Sequence, residues 1–243
     1  MESSYESYAL LLKTDQEGNE EWHRIYPGLG FALGTTAQQT TDKGYIVTGA
    51  TGSPLINASL FNVLLLKIDQ DGNEEWIKTF EFLDRSAGLS VQQTHEEGYI
   101  ITGYTISTVS SQPLCALVLI KTNNKGVEEW NKTFKFMDIN IGYSVQQTYD
   151  EGYIVTGYTL SSGELRGSLL LIKIDKDGGE EWIKTFEFLD ISAGLSVQQT
   201  HDKGYIIGGF TQSSYESYAL LLKTDQEGNK EWHRTYPGLG FAM

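Results

Sequence analysis

The sequence predicts an all-β chain: a β-propeller of four-stranded antiparallel blades, four of them complete, plus an extra N-terminal two-stranded half-blade. Three observations carry that expectation. Five tryptophans, Trp22, Trp76, Trp130, Trp182 and Trp232, recur at spacings of 54, 54, 52 and 50 residues. A period of roughly 50 residues suits propeller blades, and is also near that of helical HEAT-like arrays. Each Trp closes the same phrase, as in LLLKIDQDGNEEW and LLLIKIDKDGGEEW, and a second phrase recurs between them, as in SVQQTHEEGYIITGYT at 90–105. Both phrases are short aliphatic, β-branched and aromatic runs bounded by Gly, Asn and Asp, with no long amphipathic helical pattern. The pattern therefore favours blades over helical arrays.

In chain order, each repeat begins with a strand such as SVQQT, followed by a tight turn such as HEEG (95–98). The second strand, GYIVTGYT, leads through a loop of variable length to the third, LLLIKID. A turn such as QDGN (70–73) then joins the fourth strand, EEWIKTF (74–80), whose alternation gives it two distinct faces. Glycine in both turns is expected to supply the positive φ of tight hairpins. Four antiparallel strands per repeat make one blade. The half-blade covers 1–34, the blades 35–81, 82–135, 136–187 and 188–236, and a further blade starts at 237–243. All form one domain, with segments such as FLDRSAG (82–88) connecting successive blades.

The order of strand, glycine turn, GYIITGYT and LLLIKIDKDGGEEW resembles the blade repeat of PQQ-like β-propellers. More closely, the run from EEWNKTF to GYSVQQTYDEGYIVTGYT is similar to repeats in large surface proteins of archaea and some bacteria. The resemblance covers almost the whole chain. It implies the propeller fold, an extracellular or cell-surface location, and a structural or adhesive role. It implies no catalytic site, because the repeat defines that wider family. PQQ enzymes also need a dedicated cofactor cage, and no departure from the repeat announces one.

Composition narrows the function classes. The 243 residues are 40% hydrophobic and 12% aromatic, ample for a buried core. Eighteen basic against 32 acidic residues give a net charge of −14. That balance disfavours nucleic acid and anionic membrane surfaces as partners. No apolar run approaches the roughly 18 residues of a membrane-spanning helix. The single cysteine, Cys115, excludes an internal disulfide and a CxxC metal site. It falls in a variable loop and reads as a spectator thiol.

Several residues are candidate sites. The Gln pairs 38/39, 92/93, 146/147 and 198/199 lie on the innermost strand, where alternation turns one of each pair toward the axis. Gln39, Gln93, Gln147 and Gln199 are the channel candidates; alternatively, these amides satisfy backbone groups and lock neighbouring blades. Tyr45, Tyr99, Tyr153 and Tyr205, with the five Trp, read as packing between blades, each burying roughly 150–250 Å². Gly49, Gly103, Gly157 and Gly209 mark a close approach within the second strand. Asp69, Asp71, Asp175 and Asp177 offer oxygens at alternate positions, as calcium loops do. Their Gly is fourth rather than sixth, however, and the equivalent Asn123-Asn124-Lys125-Gly126 carries a lysine. Turn chemistry alone explains every copy, so no cofactor is expected. His23, His95, His201 and His233 lack metal-ligand spacing, and no nucleophile is paired with a base. The chain reads as non-enzymatic. Asn57 and Asn131 head glycosylation sequons.

Variation between repeats concentrates at 52–62, 106–116, 160–168 and 212–218, which points to one varied face opposite a repetitive acidic face. Tyr5, Tyr8, Asn57, Tyr215 and Tyr218 are the binding-loop candidates, the tyrosines for stacking on a sugar or peptide. Residues 3–32 recur at 213–242, differing only at Glu20/Lys230 and Ile25/Thr235. Three readings of the surplus N-terminal hairpin stand: a section of a longer repeat array, a ring with an incomplete fifth blade, or a hairpin that completes a neighbouring subunit. The polar start MESSYES carries no signal peptide, so a surface location rests on the resemblance alone. The expected function is a structural or adhesive scaffold whose partner is another copy or neighbouring repeats. A glycan- or peptide-binding module is the alternative, and a PQQ-like enzyme the third.

Overall fold

A computed structural model describes residues 8–26, 31–52, 60–82, 84–107, 114–161 and 166–237. Among them every regular element is a strand, and no helix is long and apolar enough to cross a membrane. The N-terminal hairpin is β1 (Ala9–Thr14) and β2 (Glu20–Tyr26). The first module is β3 (Phe31–Gln39), β4 (Tyr45–Gly52), β5 (Asn62–Ile68) and β6 (Glu74–Phe80). The second is β7 (Arg85–Gln93), β8 (Tyr99–Ser107), β9 (Leu114–Thr122) and β10 (Glu128–Phe134). The third is β11 (Ile139–Gln147), β12 (Tyr153–Leu160), β13 (Gly167–Ile174) and β14 (Glu180–Phe186). The fourth is β15 (Ile191–Gln199), β16 (Tyr205–Gln212), β17 (Ser217–Thr224) and β18 (Lys230–Pro237).

Within each module the strands pair antiparallel in sequence order. Three modules form a single 12-stranded sheet only through one-residue parallel bridges, Ile139 to Cys115 and Gly167 to Ile191. Phe61 and Arg85 bridge the first and second modules in the same way. The sheet therefore consists of four-stranded units whose backbones pair with one another only at single residues.

The core lies between units. Val63 and Leu65 of β5 pack with Val91, Tyr99 and Ile101 of the second module. Leu64 and Leu66 face the other way, onto Ala9 and Tyr26 of the hairpin. Third strands are thus covered on both faces, which is why they read as unbroken apolar runs. The same pattern joins the second to the third module and the third to the fourth. Each fully buried Leu or Ile contributes roughly 1.5–3 kcal/mol.

Two sequence expectations change. Residues 85–88, expected in a connection, are the first part of β7. A register shift between Gly88 and Ser90 lets them keep pairing with Thr105, Tyr104 and Gly103 of β8. In the HEEG turn, Glu97 and not Gly98 takes the positive φ, at 65°. Gly98 is required for space: a Cβ there lies 2.2 Å from the Thr122 carbonyl oxygen. In the QDGN turn, Gly72 does adopt a positive φ, of 82°.

Candidate functional site

The first strands β3, β7, β11 and β15 converge on one recess of about 300 Å³, lined by Gln38, Gln92, Gln146 and Gln198 together with Val91 and Val145. The first member of each Gln pair therefore meets the recess, while Gln39, Gln93, Gln147 and Gln199 lie beside it in sequence. Alternation sends the two members of each pair to opposite neighbours. Val91 packs into the core shared with the first module, so Gln93, two residues on, points the same way. Ser90 and Gln92 face the third module.

Both Gln positions join modules. Gln38 Oε1 accepts the Gln93 backbone N–H at 2.7 Å, Gln92 accepts that of Gln147 at 2.6 Å, and Gln146 accepts that of Gln199 at 2.6 Å. In the opposite sense, Gln93, Gln147 and Gln199 accept the N–H groups of Thr41, His95 and Tyr149, each at 2.8 Å. The aromatic residues repeat the theme. Trp22, Trp76, Trp130 and Trp182 meet Tyr45, Tyr99, Tyr153 and Tyr205 of the following module edge-on at 5.8–5.9 Å. Burial pushes the Tyr99 hydroxyl up to about 12.

A lysine within each apolar third strand is the feature the sequence reading missed. Lys67 is buried, with Nζ 2.8 Å from Asp42 and 3.2 Å from Glu75, and donates to the Ile68 carbonyl at 3.2 Å. Lys173 meets Asp150 and Glu181, and Lys223 meets Asp202 and Glu231. An ammonium has three donors, and these contacts use all three at Lys67. Burial alone pushes Asp42 up, but hydrogen bonds from Lys67, Thr40 and the Gly44 N–H, with the lysine's charge, hold it at about 2. The signal was present in the sequence: a lysine at the same place in every LLLKI-like run. The contact also sets both tight turns at one end of the module.

The acidic turns are self-contained. Asp69 Oδ1 accepts the N–H groups of Asp71 and Asn73 at 2.9 and 2.8 Å, and Oδ2 accepts from Asn73 Nδ2 at 2.9 Å. Asp175 likewise accepts from Asp177 and Gly179 at 2.9 and 2.7 Å. Among the described residues no three His, Cys, Asp or Glu side chains form a group able to hold a metal. His23 contacts Glu20 at 2.6 Å, and His233 packs on Phe188 at 4.6 Å. His95 and His201 lie in separate turns.

Cys115 lies in β9 and is buried, not in a loop. Burial raises its thiol pKa. Asn131 is on exposed β10, donating to Glu128 at 2.6 Å. Of the binding-loop candidates, Tyr5 and Asn57 lie outside the described residues. Tyr8 is on the surface, Tyr215 is 96% exposed, and the Tyr218 hydroxyl donates to Glu216. The structure does not gather these tyrosines into one pocket among the described residues. Compared with known protein families and with curated proteins, the chain matches none.

Proposed function

We propose that the chain is a β-propeller scaffold of the extracellular surface-protein kind, without enzymatic activity. In this reading the four modules are blades, the N-terminal hairpin is a half-blade, and the recess shared by the first strands is the propeller axis. One observation supports the reading: at each of the three junctions between successive modules, the paired glutamines tie one module to the next. Gln92 holds the Gln147 N–H and Gln147 holds the His95 N–H, while Lys67 ties Asp42, Glu75 and a carbonyl together within one module. Chemistry repeated in this way serves assembly of the fold.

The test is a thermal-shift screen of the purified chain against calcium, quinone cofactors, oligosaccharides and extended peptides. The expected outcome is an unchanged melting temperature throughout. A saturable shift that disappears in Gln92→Ala or Gln146→Ala assigns the recess to a ligand and overturns the reading. A saturable shift that disappears in Tyr215→Ala assigns function to the 213–216 loop and overturns it equally.

A further inference from the structure

Every internal junction seats a tryptophan of one unit on the glycine turn of the next. A Cβ at Gly72 lies 3.1 Å from the Trp22 ring, one at Gly126 2.6 Å from Trp76, one at Gly178 3.2 Å from Trp130, and one at Gly228 2.6 Å from Trp182. The first junction adds two hydrogen bonds: Tyr26 Oη donates to the Gly72 carbonyl at 2.9 Å, and Arg24 to the Asp71 carbonyl at 3.3 Å.

The two ends of the array are the separated halves of such a junction. At the C-terminal end, Trp232, Arg234 and Tyr236 repeat Trp22, Arg24 and Tyr26 within the duplicated segment. Their arrangement is already formed: the Arg234 guanidinium stands 5.8 Å over Trp232, as Arg24 stands 5.9 Å over Trp22. Yet Tyr26 is buried, whereas Trp232 and Tyr236 are 42% and 46% exposed. At the N-terminal end, Asp15-Gln16-Glu17-Gly18-Asn19 repeats Asp69-Gln70-Asp71-Gly72-Asn73 with one carboxylate longer by a methylene. The turn has the same shape, with φ of 85° at Gly18 against 82° at Gly72, and Asp15 accepts the Asn19 N–H at 2.8 Å. Among the described residues no atom lies within 4 Å of a Cβ at Gly18. Beside it, Leu10 and Leu12 are 62% and 54% exposed, while their counterparts Leu64 and Leu66 are buried against the preceding unit.

We propose that these two faces bind one another between copies of the chain. Trp232, Arg234 and Tyr236 of one copy hold the Gly18 turn of the next, with Leu10 and Leu12 covered in the same contact. The occupant is a second copy because both faces stand open at once in a single chain. The socket residues also repeat Trp22, Arg24 and Tyr26, which hold a nearly identical turn at the first internal junction. The two surfaces differ, so the association is heterologous and grows into a filament or closes into a ring of chains. This deepens the scaffold reading and rests on it. It also gives the hairpin a bridging role: β1 and β2 stay packed on the first module through Ala9 and Tyr26 and meet the second copy with the opposite face.

Light scattering coupled to size exclusion, over a concentration series, tests the proposal. The wild type is expected to rise above its 27.2 kDa chain mass with concentration. Leu12→Lys blocks one face and Trp232→Glu the other, both at exposed positions, and circular dichroism checks that each variant is folded. Each variant alone is expected to lose the higher species. An equimolar mixture keeps one intact face on each partner and is expected to stop at a two-chain species. A wild type that stays at chain mass overturns the end-to-end contact, as does a mixture that stays at chain mass. Neither result touches the ligand screen on which the scaffold reading stands.

Discussion

The amide oxygen of Gln92 accepts the backbone N–H of Gln147, 55 residues away, at 2.6 Å. The Gln147 amide in turn accepts the N–H of His95, back in the module that carries Gln92. Neighbouring modules are thus tied in both directions by the same residue type. A side-chain amide suits this role because it is uncharged and reaches a backbone donor without the desolvation cost of a carboxylate. Among the described residues no module follows the fourth, and its Gln198 is exposed.

That contrast yields a prediction. Gln146→Ala leaves the Gln199 N–H without its acceptor and should cost about 1–2 kcal/mol of unfolding free energy. Gln198→Ala removes the same side chain where it is exposed, and should stay within about 0.5 kcal/mol of wild type. Urea titration of both variants checks the difference. Equal losses would mean that the junction bonds contribute nothing beyond local strand stability.

Turn and strand patterns made the four-stranded units legible because they are local. Hairpin turns, alternating fourth strands and apolar third strands each announce themselves within ten residues. The junctions are not local. Which neighbouring module each Gln of a pair meets depends on Val91 packing into the core shared with the first module, and no short window carries that. Lys67 was hidden for a different reason: its carboxylate partners, Asp42 in a tight turn and Glu75 at the start of β6, lie far apart in the sequence and were read separately. Cys115 was assigned to a loop because the length of the preceding variable segment blurred the start of β9.

Gly208 occupies the place held in the earlier modules by Thr48, Thr102 and Thr156. Those hydroxyls donate across the sheet to Leu64, Val118 and Leu170 carbonyls at 2.8–3.0 Å. A Cβ at Gly208 meets only Leu221 Cδ2, at 4.0 Å. Gly208→Thr should therefore stabilise the fourth module by about 0.5–1 kcal/mol, by removing a strand-interior glycine. A raised urea midpoint with an unchanged m-value checks it, and a lowered midpoint counts against the register assigned to β16 and β17.

Acid should weaken the junction end of each module. Hydrogen bonds from Thr200 and Lys223 hold Asp202 at about 2, and Asp42 lies at about 2 beside Lys67. Both folded values lie below the ordinary 3.8. Their contribution is complete above that value and is lost as pH falls through about 2. Urea midpoints measured from neutral pH downward should stay level until about pH 4 and then fall. The double variant Asp42→Asn, Asp202→Asn should show a shallower fall; an identical profile would remove these pairs as its cause.

The second module tests the same arrangement by its exception. In the others, a threonine hydroxyl and a glycine N–H converge on one aspartate, which also meets the buried lysine: Thr40, Gly44 and Lys67 on Asp42, and Thr148, Gly152 and Lys173 on Asp150. Here Glu96 stands in the aspartate's place. Burial pushes its carboxyl up, while its own N–H and the Lys121 charge bring it below its ordinary value. The longer side chain nevertheless leaves Thr94 Oγ1 buried without a hydrogen bond, and Lys121 is bridged to Glu129 alone among the described carboxylates. Glu96→Asp shortens the side chain to the length that works elsewhere and should satisfy both groups. The expected gain is about 1 kcal/mol, the net value of a buried hydrogen bond recovered from an orphaned partner. Thr94→Val, which removes the orphan instead, should also stabilise, and in that background Glu96→Asp should add less. Additive gains in the double variant would show that the aspartate acts through Lys121 and not through the threonine.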